Sequence, residues 1–408
     1  MHRFQFSLFI ARRLIGSKSH KNSVSAPIIK IGIVAVAIGL TAMHIAVGTG
    51  FGLQQKIRTK ITSFEGHIRI SNYENNSSLI TPTPIDSALF TNIKKWDWIR
   101  DVNLVTYSSA ILKTNTLFNG VVLKGVNNNY AWGDFDTFLV AGSLPDIGTD
   151  LSTDILISQP IARQLGLQVG DRISTYFMSD GNFPKQRRFE VSGIYLSGFP
   201  DFDSQMVFGD IRHLQRINNW EANQVGAVEV TLTDFEQMEL RAEQLYDATP
   251  APMDVQHIKE RYFEIFNWIS LFDSNIALVI VIMILVGGVN MITALLVLIL
   301  ERTQMIGLLG VMGMRRIQSI FLINAAYLIG WGLFWGNLVG LGLMGIQQAT
   351  GLVTLDPATY YVDVVPVQFD LGAIIGLNVG TFVICLLMLW IPSYIIAKIT
   401  PIRAIERR

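Results

Sequence analysis

Residues 301–320 read ERTQMIGLLGVMGMRRIQSI and separate two long runs of uncharged residues. Charged side chains stand near both ends of this segment: Glu301, Arg302, Arg315 and Arg316. Its apolar side chains recur at helical spacing: Met305, Leu308, Leu309 and Met312. The pattern predicts a short amphipathic helix that joins two membrane spans and offers a docking surface to a partner. A solvated turn between two helices is the alternative reading of the same spacing.

The uncharged runs on either side, and two more, are long enough to cross a bilayer, which takes about 20 residues. Between charged residues, residues 31–55, 274–300, 317–355 and 371–397 are free of Asp, Glu, Lys and Arg. The third run is longer than one helix needs, and we end that span near Gln347. The sequence therefore predicts four transmembrane helices, at residues 28–52, 274–300, 317–347 and 371–397.

The charged residues are segregated along the chain. Half of the 408 residues are hydrophobic and 16% are charged, which indicates a mixture of membrane-embedded and soluble parts. Basic residues cluster in residues 1–30, 301–316 and 398–408. Because basic flanks stay in the cytoplasm, we expect a cytoplasmic amphipathic segment at 1–27, a cytoplasmic coupling helix at 301–316 and a cytoplasmic tail at 398–408. The loop at 348–370 and the long region between the first two spans then lie outside.

Residues 53–271 have the pattern of a soluble α+β domain with helical stalks. Runs such as HIRISNY, VVLKGV, RISTYFM, RRFEVSGIYL and GAVEVTL are typical of strands. Helices are predicted at residues 87–98, 159–165, 211–218 and 234–246. The first span keeps helical spacing beyond the membrane, through Leu53, Ile57, Ile61 and Phe64. The predicted fold class is a membrane α-helical protein with an α+β periplasmic domain inserted between helices 1 and 2.

Small and polar residues inside the spans suggest how the helices pack. Glycine recurs every fourth residue in the third and fourth spans: Gly332, Gly336 and Gly340, then Gly372, Gly376 and Gly380. Such rows allow close helix approach, within the chain and against a second copy. Polar residues within the spans include His44, Asn290, Asn324 and Asn378. We interpret these as interhelical hydrogen-bonding groups, and a transport pathway is the alternative.

No motif for catalysis or nucleotide binding is present. The chain has no G-x-x-x-x-G-K-[ST], H-E-x-x-H or G-x-S-x-G, and its single cysteine, Cys385, excludes an internal disulfide. The histidines of the 53–271 region are dispersed: His67, His213 and His257. The sequence predicts a non-catalytic chain that binds no cofactor itself.

ERTQMIGLLGVMGM resembles the E-R-T-x-x-I-G-x-L-x-x-x-G coupling segment of ABC-transporter permeases of the macrolide-exporter and lipoprotein-releasing superfamily. Six other segments are similar to that family: FIARRLIGSK, GTGFGLQQKIRTKITSFEGHIRI, AGSLPD, ILISQPIARQLGLQVGDRI, RRFEVSGIYLSGFPDFDSQMVF and PSYIIAKITPIRAIE. The family's usual Asn-Gly-Phe is Thr-Gly-Phe here, at residues 49–51. The likeness extends over almost the whole chain, although each motif alone is weak.

The resemblance implies a multi-pass permease of the bacterial inner membrane that works with a cytoplasmic ABC ATPase dimer. ATP and magnesium would bind in that ATPase, and a second permease subunit, a copy or a paralogue, would complete the complex. No nucleic-acid partner is expected. The implied ATPase-coupling residues are Glu301, Arg302, Thr303, Met305, Ile306, Leu309, Gly313 and Met314.

Lipoprotein releasers of this family carry a hook-like loop that receives a periplasmic lipoprotein chaperone. MSDGNFPKQ, residues 178–186, occupies that place between two strand-like flanks. The implied chaperone-binding residues are Asp180, Gly181, Asn182, Phe183, Pro184 and Lys185, and an ordinary hairpin tip is the alternative. The implied function is extraction of lipoprotein cargo from the inner membrane. The competing function is a permease that transmits ATPase motion for efflux or for control of a periplasmic partner such as a cell-wall hydrolase.

Overall fold

The structure is a computed structural model that describes residues 25–75, 82–84, 93–178, 184–312 and 317–396. These residues fall in two compact units. The helical unit comprises residues 25–54, 268–354 and 364–396, and the sheet unit comprises residues 55–267 and 355–363.

The secondary structure follows in chain order. The α-helices are α1 Ser25–Glu65, α2 Gln159–Leu165, α3 Pro200–Gln205, α4 Ile211–Asn218, α5 Met238–Ala248, α6 Ile258–Arg261, α7 Phe263–Glu301, α8 Thr303–Val311, α9 Ile317–Thr350, α10 Pro357–Tyr360 and α11 Leu371–Ile396. The strands are β1 Ile68–Asn72, β2 Thr83–Pro84, β3 Ile99–Lys113, β4 Phe118–Val126, β5 Leu139–Gly142, β6 Asp154–Ser158, β7 Arg172–Phe177, β8 Lys185–Tyr195, β9 Met206–Asp210, β10 Gln224–Val225, β11 Ala227–Leu232 and β12 Met253–His257. A 3₁₀ helix covers Gly133–Phe138.

Within the described ranges, four helices are long and apolar enough to cross a membrane. They are Pro27–Glu65, Phe263–Glu301, Ile317–Thr350 and Leu371–Trp390. Each overlaps one of the four uncharged runs of the sequence. Both α1 and α7 are much longer than the apolar runs that they contain, since α1 has 41 residues and α7 has 39.

The glycine row of α9 faces α1 inside the helical unit. A Cβ added at Gly336 would lie 2.8 Å from the Leu40 Cβ and 2.9 Å from the Ala37 carbonyl oxygen. The close approach therefore requires glycine, as the sequence predicts. The glycine row of α11 behaves differently, because a Cβ at Gly376 or Gly380 would meet nothing within 4 Å. The predicted close packing is wrong for α11 within this chain.

Polar side chains join three helices of the helical unit. The Oδ1 of Asn337 on α9 lies 2.9 Å from the Nε2 of His44 on α1 and accepts a 2.9 Å hydrogen bond from the Nδ2 of Asn378 on α11. Asn337 donates in return to the Oδ1 of Asn378 at 2.6 Å. The interpretation of His44 and Asn378 as interhelical hydrogen-bonding groups is confirmed.

One mixed sheet of ten strands organises the described part of the sheet unit. Its order is β12-β1-β11-β3-β4-β9-β6-β8-β5, and β7 pairs with both β3 and β8. The β4–β9 and β6–β8 pairs are parallel, and the other pairs are antiparallel. The C-terminal half of β8, residues 189–195, alternates buried and half-buried residues, as expected of a strand with one face on a core.

Local capping determines where two short helices of this unit begin and end. The Ser158 side chain accepts the Ile161 N–H at the start of α2, and Gly166 ends that helix at a φ of 67°. The Asp210 side chain accepts the Arg212 N–H at the start of α4, and Asn219 ends it at a φ of 57°. Both helices match the ranges predicted from the sequence.

The sheet unit has an aliphatic core and an aromatic cluster. The aliphatic core packs α2 and α4 against β3, β4, β6, β7, β8 and β9. The aromatic cluster surrounds Phe64, near the C-terminal end of α1. Its ring contacts Phe135, Phe138, Tyr195, Phe202 and Phe208, with centroids 4.5 to 5.8 Å away. The end of α1 is thereby buried in the sheet unit.

Candidate coupling site and partner surfaces

A single residue, Arg302, separates α7 from α8. The Thr303 hydroxyl donates hydrogen bonds back to the carbonyls of Leu300 at 2.7 Å and Ile299 at 3.2 Å. These carbonyls lie in the last turn of α7, where a helix leaves its C=O groups without intrahelical partners. Thr303 therefore provides hydrogen bonds to the last turn of α7 at the point where the chain enters α8.

The apolar residues of α8 are divided between two surfaces. Ile306 and Leu309 are buried in a cluster with residues of α7 and α9, and Met305 packs against that cluster in part. Leu308 is 62% exposed and Met312 is 71% exposed. The prediction of one docking face through Met305, Leu308, Leu309 and Met312 needs correction, because Leu309 packs within the chain itself. Leu308 and Met312 are the members of that set that remain available to a partner.

Three of the other predicted coupling residues lie at the junction of α7 and α8: Glu301 ends α7, Arg302 connects the helices and Thr303 begins α8. Glu301 is exposed, and Arg302 and Thr303 are half-buried. Gly313 and Met314 lie outside the described residues. The part of these side chains in ATPase coupling stays a prediction.

The predicted chaperone loop connects two paired strands. β7 and β8 are antiparallel, with Phe177 opposite Lys185. Asp180, Gly181, Asn182 and Phe183 lie outside the described residues, whereas Pro184 is exposed just before β8. The Lys185 ammonium donates to the Ile217 carbonyl in the last turn of α4, a favourable place for a cation. Lys185 thus has a contact within the sheet unit, which the sequence did not indicate.

A buried cluster of charges surrounds the C-terminal end of α1 in the sheet unit. Lys124 of β4 and Glu229 of β11 are 0% and 1% exposed and lie 2.8 Å apart. The Lys124 ammonium also donates to the Phe64 carbonyl, and the Tyr107 hydroxyl donates to Glu229. Burial, with the negative charges of Glu229 and Glu65, raises the pKa of Tyr107 far above its ordinary value. Its hydroxyl consequently stays protonated and remains a donor.

The same cluster includes the residues that lead into α7. The Arg261 guanidinium pairs with the Glu65 carboxylate, and the Arg69 guanidinium lies 3.9 Å from the same carboxylate. The Arg69 guanidinium also lies 4.4 Å from the centre of the Tyr107 ring. The sheet therefore holds the end of α1 and the residues just before α7 through charged groups. Sequence reasoning missed this cluster, although Lys124 and Glu229 are single charges inside apolar strand patterns.

A polar cleft of about 460 Å³ lies beside this cluster in the sheet unit. Its lining includes Arg58, Ser63, His67, Arg100 and Asn103. Burial, with the positive charge of Arg100, lowers the pKa of His67 to about 4. The His67 Nδ1 accepts the Leu232 N–H at 3.2 Å, a bond that requires this nitrogen to be unprotonated. His67 is therefore a neutral, structural histidine at ordinary pH.

Metal ligation has no support in the described part of the chain. Among those residues, no group of three or more His, Cys, Asp or Glu side chains could hold a metal ion. His213 illustrates the dispersed histidines, since its Nε2 lies 2.8 Å from the Ser152 carbonyl and its ring packs edge-on against Phe189.

Two family models match most of the chain. One, described as the MacB-like periplasmic core domain, matches residues 31–247. The other, described as the FtsX-like permease C-terminal region, matches residues 277–401. Together these matches cover most of the sheet unit and most of the four long helices, and they leave out residues 248–276.

Curated relatives match nearly from end to end. The lipoprotein-releasing system transmembrane protein LolC of Neisseria meningitidis serogroup B is 22% identical over 403 residues, which cover 90% of this chain and 91% of the relative. LolC of Xylella fastidiosa strain 9a5c is 19% identical over 428 residues, with 98% of both chains covered. Among solved structures, the periplasmic region of MacB from Actinobacillus actinomycetemcomitans matches with a TM-score of 0.35 and 15% identity, covering 50% of this chain and 93% of that one.

Proposed function

Because this chain belongs to the family of the MacB-like periplasmic core domain and is an ABC-transporter permease of the LolC/MacB type, we propose that it extracts lipoproteins from the bacterial inner membrane and passes them to a periplasmic chaperone. Permeases of this family are generally non-catalytic subunits that work with an ABC ATPase and other permease subunits. ATP and magnesium would bind in the ATPase, not in this chain.

The observation that carries the proposal is the extent of the match to the LolC relatives. The alignment to the Xylella fastidiosa protein covers 98% of this chain and 98% of the relative. The likeness therefore includes the sheet unit and all four long helices, with no large part of either protein left over. Both relatives are named as parts of a lipoprotein-releasing system.

The lengths of α1 and α7 suit transmission of ATPase motion. At about 1.5 Å per residue, helices of 41 and 39 residues measure roughly 60 Å each, about twice the hydrocarbon core of a bilayer. A continuous helix transmits displacement where a flexible loop would not. The end of α1 and the residues before α7 share the buried cluster of Glu65, Arg261, Lys124 and Glu229, so the sheet would respond to both helices.

Partner contacts are proposed for two exposed places. Leu308 on α8 and Met312 directly after α8 would seat in the ATPase, because both side chains are apolar and exposed and stand in the segment that follows α7. The connection at residues 178–186 would bind the chaperone through Phe183 and Pro184. Proline supports this role because it fixes φ and lacks an N–H, which prevents the tip from extending the sheet.

Depletion of the chain in its own bacterium tests the function. We expect newly made lipoproteins to accumulate in the inner membrane, where fractionation followed by immunoblotting of a lipoprotein detects them. Wild-type chain supplied in trans should restore their release from spheroplasts by added chaperone. Normal lipoprotein sorting after depletion would contradict the proposal. Loss of efflux or of cell-wall hydrolase activity, with sorting intact, would favour the competing function.

A further inference from the structure

The connection between α9 and α11 contains a segment, residues 355–363, that belongs to the sheet unit, whereas both flanking helices belong to the helical unit. The Leu355 N–H donates to the Asp363 carbonyl at 2.9 Å and closes the segment into a loop. Directly after α10, Tyr361 has a backbone φ of 61°. A residue other than glycine rarely adopts this conformation, and it persists where surrounding contacts hold it.

The Tyr361 ring is the outer end of a column of four stacked aromatic rings. Its centroid lies 4.5 Å from that of Phe199, with the ring planes 21° apart. Phe199 stacks on Phe202 at 4.9 Å and 26°, and Phe202 stacks on Phe64 at 4.5 Å and 5°. Phe64 and Phe199 are fully buried. Because Phe64 lies in the last turn of α1, the column joins the α9–α11 connection to the end of α1.

A hydrogen bond joins the same two elements. Lys60, four residues before Phe64 on α1, donates from its ammonium to the Tyr361 carbonyl at 2.8 Å. Gly198 leaves room for this contact, because a Cβ there would lie 3.0 Å from the Lys60 Nζ and 3.4 Å from an Asp363 carboxylate oxygen. A charged donor strengthens such a bond, and the stacked rings add attraction beyond their burial.

We propose that Tyr361 and Lys60 are positioning residues that couple the α9–α11 connection to the end of α1. This inference rests on the proposed ATP-driven motion of the permease and adds a third route to those through α1 and α7. When ATP displaces the end of α1, the stacked column and the Lys60 bond carry the 355–363 segment with it.

Hydrogen exchange of the full permease in complex with its ATPase tests this coupling. In wild type, we expect nucleotide binding to change the exchange of residues 55–65 and of residues 355–363 together. Tyr361→Gly removes the ring and suits a positive φ. In that variant, residues 355–363 should exchange at least about tenfold faster and should no longer respond to nucleotide, while residues 55–65 still respond.

Three variants make the result specific. Tyr361→Phe keeps the ring and should respond like wild type, and Tyr73→Gly removes an exposed tyrosine of the same unit and should also do so. Lys60→Met keeps the rings and should weaken the response of residues 355–363 without abolishing that of residues 55–65. A normal nucleotide response of residues 355–363 in Tyr361→Gly would overturn the inference. A wild-type complex in which neither segment responds would instead overturn the proposed motion itself, and lipoprotein release is not needed to tell these outcomes apart.

Discussion

The buried lysine of β4 is the residue whose replacement we expect to destabilise the sheet unit most. Lys124 and its partner Glu229 are 0% and 1% exposed, and their charged atoms lie 2.8 Å apart. Lys124→Met keeps most of the aliphatic stem and removes the ammonium. Glu229 is then left as a buried carboxylate without its cation, although it still accepts the hydrogen bond from the Tyr107 hydroxyl. The Phe64 carbonyl loses the hydrogen bond that Lys124 donates to it.

The expected magnitude follows from the burial of both groups. Removing one partner of a buried ion pair costs about 3–5 kcal/mol, because the remaining charge is uncompensated. At about 1.4 kcal/mol for each factor of ten, amide exchange through opening of this region should accelerate by roughly 140- to 3,700-fold. Removing both charges, in Lys124→Met/Glu229→Gln, should recover a large part of the loss, since no unpaired charge remains.

The assay is hydrogen exchange of the full-length protein in detergent, read on peptides from β3, β4 and β11. Arg172→Met is the matched control. Arg172 pairs with Glu190 across β7 and β8 at 3.0 Å, but these side chains are 78% and 41% exposed, so the pair is worth about 1 kcal/mol or less. The reasoning is refuted if Lys124→Met accelerates exchange no more than Arg172→Met does.

Three further expectations concern other parts of the chain. Leu308→Asp, on the exposed side of α8, should weaken ATPase binding at least about tenfold in co-purification or titration. Leu240→Asp, at another exposed leucine, on α5, should leave ATPase binding unchanged. Gly336→Ala should lower the stability of the detergent-solubilised protein by about 1–3 kcal/mol through overpacking against α1, and Gly342→Ala should not, because a Cβ there meets nothing within 4 Å. Unfolded His67 binds a proton near pH 6.5, and the folded imidazole does so only near pH 4. The unfolded state therefore takes up the proton first, and stability should fall by about 3 kcal/mol as the pH decreases from 6.5 to 4. In His67→Gln this part of the pH dependence should disappear from the unfolding curves, and an unchanged curve would contradict the assignment.

Local signals in the sequence predicted several elements correctly. Residues 159–165 and 211–218 form helices with those limits, because their caps, Ser158 and Asp210, act within three residues of the helix start. The helix predicted at 234–246 instead begins at Met238. Asp234 explains the difference, since its carboxylate accepts hydrogen bonds from the Glu236 backbone N–H and from the Nε2 of the Gln237 side chain. These bonds compete with the first helical turn. Half of the helix predicted at 87–98, residues 87–92, lies outside the described residues, and the described residues 94–98 form turns instead of a helix.

Long-range contacts were not predictable in the same way. Periodicity shows that α8 is amphipathic, but it does not tell whether a given apolar residue packs on the chain itself, as Leu309 does, or stays exposed, as Leu308 does. The glycine rows of α9 and α11 read alike in sequence, yet only the first contacts α1. The place of residues 355–363 in the sheet unit depends on stacking between rings far apart in the chain, for which no local pattern exists.

Reconstitution tests the central claim most directly. The purified permease and its ATPase are placed in proteoliposomes with a triacylated lipoprotein, and transfer of that lipoprotein to soluble chaperone is measured with and without ATP. The account predicts transfer that requires ATP, that fails with an ATPase unable to hydrolyse ATP, and that falls about tenfold or more with Phe183→Ala/Pro184→Ala while ATP hydrolysis continues. ATP hydrolysis by the wild-type complex without any lipoprotein transfer would contradict it.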